Sequence, residues 1–229
     1  MTPRIAVVIP TLNEADSIAR VVAEVRSDLV GDIVVADGCS TDDTAARAEA
    51  AGARVLSVGR GYGRACAAGA TAADVSCDII VFLDGDGADR ADLLGLLAAP
   101  ILEGTHDFVL ASRTRGQRES GSMLWHQVLA GRVAGLITGA RYRVPYSDMC
   151  AFRAIRRESL IRLGLRETHY GWNIEMQMRA AGAGLRILEI PMPYRCRTSG
   201  HSKVAGSLPG TMRATIHIIR TVGRLFWNG

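Results

Sequence analysis

The chain has 229 residues, 48% of them hydrophobic and 22% charged, a globular composition that excludes a disordered tail, a collagen and a coiled coil. Its formal net charge of +4 is unevenly spread: residues 1–112 hold 8 Arg against 17 Asp and Glu, a net of −9, whereas residues 113–229 hold 19 Lys and Arg against 6 Asp and Glu, a net of +13. Five cysteines (Cys39, Cys66, Cys77, Cys150 and Cys196) form no C-x-x-C pair and leave an odd count, which favours a reduced, cytoplasmic setting over a disulfide framework.

The first residues run into IAVVIP with one Arg before it and no small-residue cleavage site, so no signal peptide is expected. No stretch approaches the ~18 apolar residues of a membrane span, so any membrane contact is expected to be peripheral, at the inner face. Ile5–Ile9 reads as a buried strand that ends at Pro10-Thr11-Leu12-Asn13-Glu14. A helix is expected over Glu14–Asp28, where Ile18, Val21, Val22 and Val25 fall at helical spacing. Asp32–Ala36 is a second strand, ending at Asp37-Gly38-Cys39-Ser40-Thr41-Asp42-Asp43-Thr44, whose hydroxyl and carboxylate side chains can cap a helix over Asp42–Ala51. Arg54–Val58 and Asp78–Leu83 are further strands, the second running into Asp84-Gly85-Asp86-Gly87-Ala88-Asp89. Such alternation predicts an α/β fold with a mostly parallel sheet flanked by helices, which binds ligands beyond the carboxyl ends of its strands.

The second half is less regular. It reads as a strand at Phe108–Ser112, a Gly-containing amphipathic helix over Ser122–Gly139, helices over Ala151–Leu163 and Asn173–Ala181, a strand at Leu185–Pro191 and a small-residue loop over 195–210. With no internal repeat or linker, one domain over 1–229 is expected, comprising a 1–112 half, a 113–210 half and a 211–229 tail. In that tail Arg213, His217, Arg220 and Arg224 stand at intervals of four, three and four, with Ile218, Ile219, Val222, Leu225 and Phe226 on other faces. A basic amphipathic helix of this kind suits either an anionic membrane surface or docking on the protein's own core. Ser122–Gly139 poses the same choice.

Asp84 and Asp86 carry the strongest chemical signal. Two carboxylates one residue apart at a strand exit can face one hard cation and leave coordination sites for phosphate oxygens, which suits Mg²⁺ or Mn²⁺; the alternative is a plain Gly/Asp turn. Asp37 can accept a hydrogen bond from a nucleobase edge and Glu14 can reach a ribose hydroxyl, while Asn13 and Asp42 also read as helix caps and Pro10 as a strand end.

PTLNE, DGCSTDDT, GYGRACAAG and LDGDGAD, in this order and spacing, resemble glycosyltransferase family 2 with its GT-A fold. ASRTRG, SDMCAFRAIRRE, GWNIEMQMRA and RTSGHSKVAG are similar to the branch of dolichyl-phosphate mannosyltransferase and polyprenyl-phosphate glycosyltransferases. The resemblance implies transfer of a hexose from a nucleotide diphosphate sugar (UDP- or GDP-hexose) to polyprenyl phosphate, with inversion and with Mg²⁺ or Mn²⁺. It implies Pro10, Thr11, Asn13, Glu14, Asp37 and Gly63 as donor contacts, Asp84, Gly85 and Asp86 at the diphosphate, and Asp84 and Asp86 as metal ligands. Asp148 is placed at the reaction centre, with Ser112, Arg113, Arg197, Ser202 and Lys203 toward phosphates. Lys203, the one lysine, sits in SGHSKVAG, where small residues permit a phosphate cradle. Glu175 is the rival base candidate: with an alcohol acceptor one of Asp148 and Glu175 would be needed as the base, and the alternative reading of Asp148 is a helix cap. Ala88, Tyr62 and Ala151 depart from the family's frequent Gln, Lys and Gly. The competing classes are a family 2 enzyme with a soluble acceptor, a sugar-phosphate nucleotidylyltransferase, whose Gly-rich basic loop is missing after the first strand, and a nucleic-acid binder, which the acidic first half disfavours.

Overall fold

The structure, a computed structural model, describes residues 4–144, 146–198 and 208–227. Its strands are β1 (Arg4–Thr11), β2 (Val30–Asp37), β3 (Arg54–Ser57), β4 (Cys77–Phe82), β5 (Phe108–Ser112), β6 (Arg153–Arg156) and β7 (Ile187–Pro191). Its helices are α1 (Ile18–Val25), α2 (Thr44–Ala50), α3 (Tyr62–Ala72), α4 (Leu94–Leu102), α5 (Trp125–Tyr142), α6 (Arg157–Leu163), α7 (Trp172–Gly182) and α8 (Leu208–Trp227). One sheet takes the strands in the order β3-β2-β1-β4-β6-β5-β7. Its pairs are parallel except for β6, which runs antiparallel to both β4 and β5.

The period-two alternation of strand side chains builds a core on each face. Ile5, Val7, Ile9, Val35, Ile79 and Val81 meet Val21 and Val22 of α1 and Leu94 and Leu97 of α4 on one side. Ala6, Val8, Val34, Ile80 and Phe82 meet Cys66 of α3, Leu160 of α6 and Trp172 and Met176 of α7 on the other. A third, smaller cluster joins Ala134 of α5, Ile174 and Met178 of α7 and Leu225 of α8.

Three sequence expectations are corrected. The helix expected over Ala151–Leu163 is a strand followed by a short helix, because Arg153–Arg156 fills the slot between β4 and β5 and its backbone groups are satisfied there by ladder bonds. The first helix starts at Ile18 rather than Glu14, since residues 12–17 are used in the loop at the mouth of the sheet. The loop expected over 195–210 gives way to α8 at Leu208. Two helices, α3 and α4, went unread: α3 is rich in Gly and Ala, and α4 has a Pro inside it.

Helix α5 lies against the 146–148 segment through its glycines. A Cβ at Gly135 would stand 1.6 Å from the Tyr146 carbonyl oxygen, and one at Gly131 would stand 3.4 Å from the Asp148 Cα. The absence of side chains lets α5 cover that segment directly.

Candidate active site

Three loops meet beyond the carboxyl ends of β1, β2 and β4. The β1 and β2 loops are stitched together: the Asn13 N–H donates to Ser40 Oγ at 2.8 Å, the Thr41 N–H donates to Asn13 Oδ1 at 2.8 Å, and the Glu14 N–H donates to Thr44 Oγ1 at 2.8 Å. Asn13 therefore binds the neighbouring loop rather than capping α1, and it holds a left-handed φ of 52° to do so. Asp42 stands one residue before the N-cap of α2, Asp43, and accepts from Thr44 N and Oγ1 and from the Ala15 N–H at 3.3 Å, so it too ties the two loops together. Buried Asp37 accepts from Thr11 Oγ1 at 3.2 Å, from the Ser40 N–H at 2.9 Å and from the Ser40 hydroxyl. Pro10 is buried at the end of β1. Gly85 lets the β4 exit approach β1, for a Cβ there would lie 2.8 Å from Thr11 Cγ2. Gly63 packs in the first turn of α3 against Glu167 and Thr168, where a Cβ would stand 2.3 Å from the Glu167 carbonyl oxygen.

At the β4 exit, Asp84 and Asp86 are joined by Asp89, which sequence reasoning missed although it closes the same DGDGAD segment. Burial, and behind it the charge of Asp86, pushes Asp84 up to about 7; burial, then Asp84 and Asp86, pushes Asp89 up to about 8. Arg197 pairs with Asp86, and Arg113 and Arg197 both lower the Asp84 value without restoring it. The Thr198 N–H donates to the Asp86 carbonyl oxygen at 3.2 Å, and the Arg195 N–H donates to the Ala88 carbonyl oxygen at 2.9 Å. The 195–198 segment thus runs along the acidic loop. Oxygen-only donors that repel one another and are short of countercharge fit a hard divalent cation, so the residues present suit Mg²⁺ or Mn²⁺.

That crowding sets a pH dependence. A carboxyl raised from its ordinary 3.8 keeps its proton in the fold and loses it in the unfolded chain, so the metal-free fold is expected to lose stability as pH climbs from about 4 to about 8. A divalent cation competes with those protons and offsets the repulsion. Scanning fluorimetry with and without Mn²⁺ is expected to show a larger rise in Tm at pH 8 than at pH 5.5; equal rises would remove these carboxylates from the metal site.

The reaction-centre candidate, Asp148, is buried and fully engaged. The Arg113 guanidinium donates to it through Nε (2.8 Å to Oδ2) and Nη2 (2.8 Å to Oδ1), the Arg113 backbone N–H donates at 2.9 Å and the Met149 N–H at 2.7 Å. Burial works to raise its pKa, but Arg113 and these N–H groups outweigh it and hold Asp148 below the usual carboxylate range. The segment is held from behind by residues that sequence reasoning missed. Glu189 of β7 accepts from the Ser147 and Asp148 N–H groups at 2.9 and 3.2 Å, and Gln177 of α7 donates to the Asp148 carbonyl oxygen at 2.9 Å. Glu189 is the one charged residue on the otherwise apolar β7, a signal the sequence offered, whereas Gln177 is one of several polar residues of α7 and had no such mark. Ser112 is buried, its hydroxyl 2.6 Å from that of Ser147, and the Arg113 guanidinium lies over the Tyr194 ring at 5.1 Å.

Glu175 stands in a different network. It is fully buried, accepts from the Arg166 and Glu167 N–H groups at 2.9 and 2.6 Å, and pairs with Arg179 at 3.0 Å and Arg224 of α8 at 3.3 Å. None of these partners belongs to the Asp84–Asp86–Arg113 group. Glu175→Gln is expected to lower stability by about 1–3 kcal/mol while leaving the transfer rate within about threefold. A collapse in rate with unchanged Tm would make it the base. Ser202 and Lys203 lie outside the described residues.

The sequence model described as glycosyl transferase family 2 matches residues 6–164. An uncharacterized glycosyltransferase of Mycobacterium tuberculosis is 35% identical over 223 residues, covering 95% of this chain and 97% of the relative. The undecaprenyl-phosphate mannosyltransferase of Micrococcus luteus is 28% identical over 247 residues, covering 99% and 97%. Among solved structures, glucosyl-3-phosphoglycerate synthase from Mycobacterium tuberculosis, in complex with Mn²⁺ and UDP-glucose, superposes with a TM-score of 0.75 at 25% identity, covering 97% of this chain and 79% of that one. With its mostly parallel seven-stranded sheet of the GT-A type, and with this match over most of its length, the chain is a glycosyltransferase and belongs to glycosyl transferase family 2.

Proposed function

We propose that this enzyme moves a hexose from a nucleoside diphosphate sugar to polyprenyl phosphate with inversion. The observation that carries the acceptor class is the bidentate Arg113–Asp148 pair. Asp148 is held ionised and its oxygens are occupied, so it positions a cation and is not free to take a proton. An alcohol acceptor needs a base, whereas a phosphate monoester is anionic at neutral pH and attacks without one. Its oxygen forms the bond to the anomeric carbon, and the bond from that carbon to the diphosphate oxygen breaks, its electron pair leaving with the nucleoside diphosphate.

In this reading Pro10, Thr11, Asn13, Glu14 and Asp37 hold the nucleoside, with Asp37 fixed by Thr11 and Ser40. Asp84 and Asp86 hold Mg²⁺ or Mn²⁺, with Asp89 behind them. When bound, the cation offsets charge on the departing diphosphate. Asp148 uses two of the five N–H donors of Arg113, leaving others for phosphate oxygens. Arg197, Ser202 and Lys203 supply further phosphate contacts.

The similarity to an undecaprenyl-phosphate mannosyltransferase supports the lipid acceptor, and the neighbour crystallised with Mn²⁺ and UDP-glucose supports the donor and metal. Radiolabelled UDP- and GDP-hexoses, incubated with polyprenyl phosphate and Mn²⁺ or Mg²⁺ in detergent, are expected to place label in an organic-extractable lipid. Label that appears only in an aqueous product formed with a small phosphorylated acceptor would replace the lipid by a soluble acceptor.

A further inference from the structure

Helices α5 and α8 both pack on α7, and both leave an apolar stripe outside. On α5, Trp125, Leu129, Val133 and Leu136 are exposed, Trp125 by 77% and Leu136 by 74%. At 3.6 residues per turn they fall within an arc of about 80°, opposite the buried Gly131, Ala134, Gly135 and Thr138. On α8, Met212, Ile216, Ile219 and Phe226 are exposed within an arc of about 80°, opposite Ile218, Thr221, Val222 and Leu225. The tail is therefore docked on the protein and yet amphipathic outward. His217 and Arg224, expected in a basic outer stripe, turn instead to Glu167 and Glu175.

Charge selects the occupant. The sequence has no Asp or Glu between Glu119 and Asp148 and none after Glu189. Exposed Arg132 borders the α5 stripe and exposed Arg220 borders that of α8. Two copies meeting through these faces would bring like charges together, whereas an anionic bilayer offers apolar depth and opposite charge at once. Among the described residues no helix is long and apolar enough to cross a membrane.

We propose that the outer faces of α5 and α8 dock this protein on an anionic membrane surface, with α5 as the wall between the lipid and the Arg113–Asp148 pair. A Cβ at Gly131 on the inner face of α5 would lie 3.5 Å from Asp148 Oδ1, so one helix, about 10–12 Å across, separates the bilayer from that pair. The docking surface stands by itself; its use in presenting a lipid-borne phosphate to Arg113 rests on the polyprenyl phosphate reading.

The full chain is mixed with vesicles of phosphatidylcholine alone or with phosphatidylglycerol, free of polyprenyl phosphate, and sedimented. Binding is expected only with the anionic lipid, falling as salt rises. The Trp125→Ala, Leu129→Glu, Leu136→Glu variant is expected to bind roughly tenfold or more weakly, with unchanged Tm and unchanged transfer to a short-chain, water-soluble prenyl phosphate. No sedimentation of the unmodified protein, or unchanged sedimentation of a folded variant, overturns the surface, as does a dimer that the variant dissociates. Vesicle binding without transfer to any prenyl phosphate leaves the surface standing and overturns the acceptor.

Discussion

Asp86→Ala is expected to reduce transfer by about a thousandfold or more and to abolish metal-dependent binding of the nucleoside diphosphate in calorimetry. Asp86 is 4% exposed, its Oδ1 accepts the Ala88 N–H at 2.9 Å and its other oxygen pairs with Arg197. Removing it takes away a ligand of the proposed cation and the anchor of the 195–198 segment. Charge stabilisation of several kcal/mol on a departing diphosphate corresponds to such a factor in rate. Asp86→Asn keeps the shape and is expected to lose nearly as much, because the charge is what both the cation and Arg197 need. The fold is expected to survive, since Asp84 and Asp89 lose a repulsive neighbour. Unchanged nucleotide binding in the presence of Mn²⁺ would move the metal site elsewhere.

The second large effect is expected from Asp148→Asn, with a fall in kcat of about a hundredfold or more. The amide cannot accept both guanidinium bonds, so Arg113 loses the fork that aims it. Leaving one member of a buried pair without its partner costs about 3 kcal/mol, discounted here because the Arg113 side chain is 16% exposed. Arg113→Lys is not expected to preserve function, because an ammonium cannot reproduce the bidentate contact. The pH profile separates the roles. A carboxylate depressed in the fold contributes stability above its unfolded value near 3.8, and that stability is lost as pH falls through the lower folded value. Asp148 is therefore expected to add no limb to the rate profile between pH 5 and 9. A limb near neutrality that disappears in Asp148→Asn would restore it as a base.

Much of the fold of the first half was legible because its information is local. A short apolar strand followed by PTLNE, DGCSTDDT or LDGDGAD states both the strand and the polar loop at its end within about ten residues. β5, predicted over Phe108–Ser112, has those bounds in the structure. The second half was harder to read. Residues 151–163 carry a pattern that serves helix or strand, and only the slot between β4 and β5 decides that Arg153–Arg156 extends the sheet. Glu175 shows the same limit. In sequence it is a carboxylate near a motif; in space it ties α7, α8 and the 166–167 backbone together.

By itself the sequence determined the alternating α/β order, the carboxylates at the strand exits and an acidic first half joined to a basic second half. The tertiary structure decided who partners whom. Asp148 meets Arg113 across 35 residues, Arg197 meets Asp86 across 111, and Arg224 meets Glu175 across 49. Such pairs are fixed by which elements the two cores bring together, and no local periodicity encodes them. The basic residues behind the +13 of the second half thereby include arginines that neutralise buried carboxylates, arginines such as Arg153 and Arg157 that bind backbone carbonyls, and arginines that border the apolar stripes of α5 and α8.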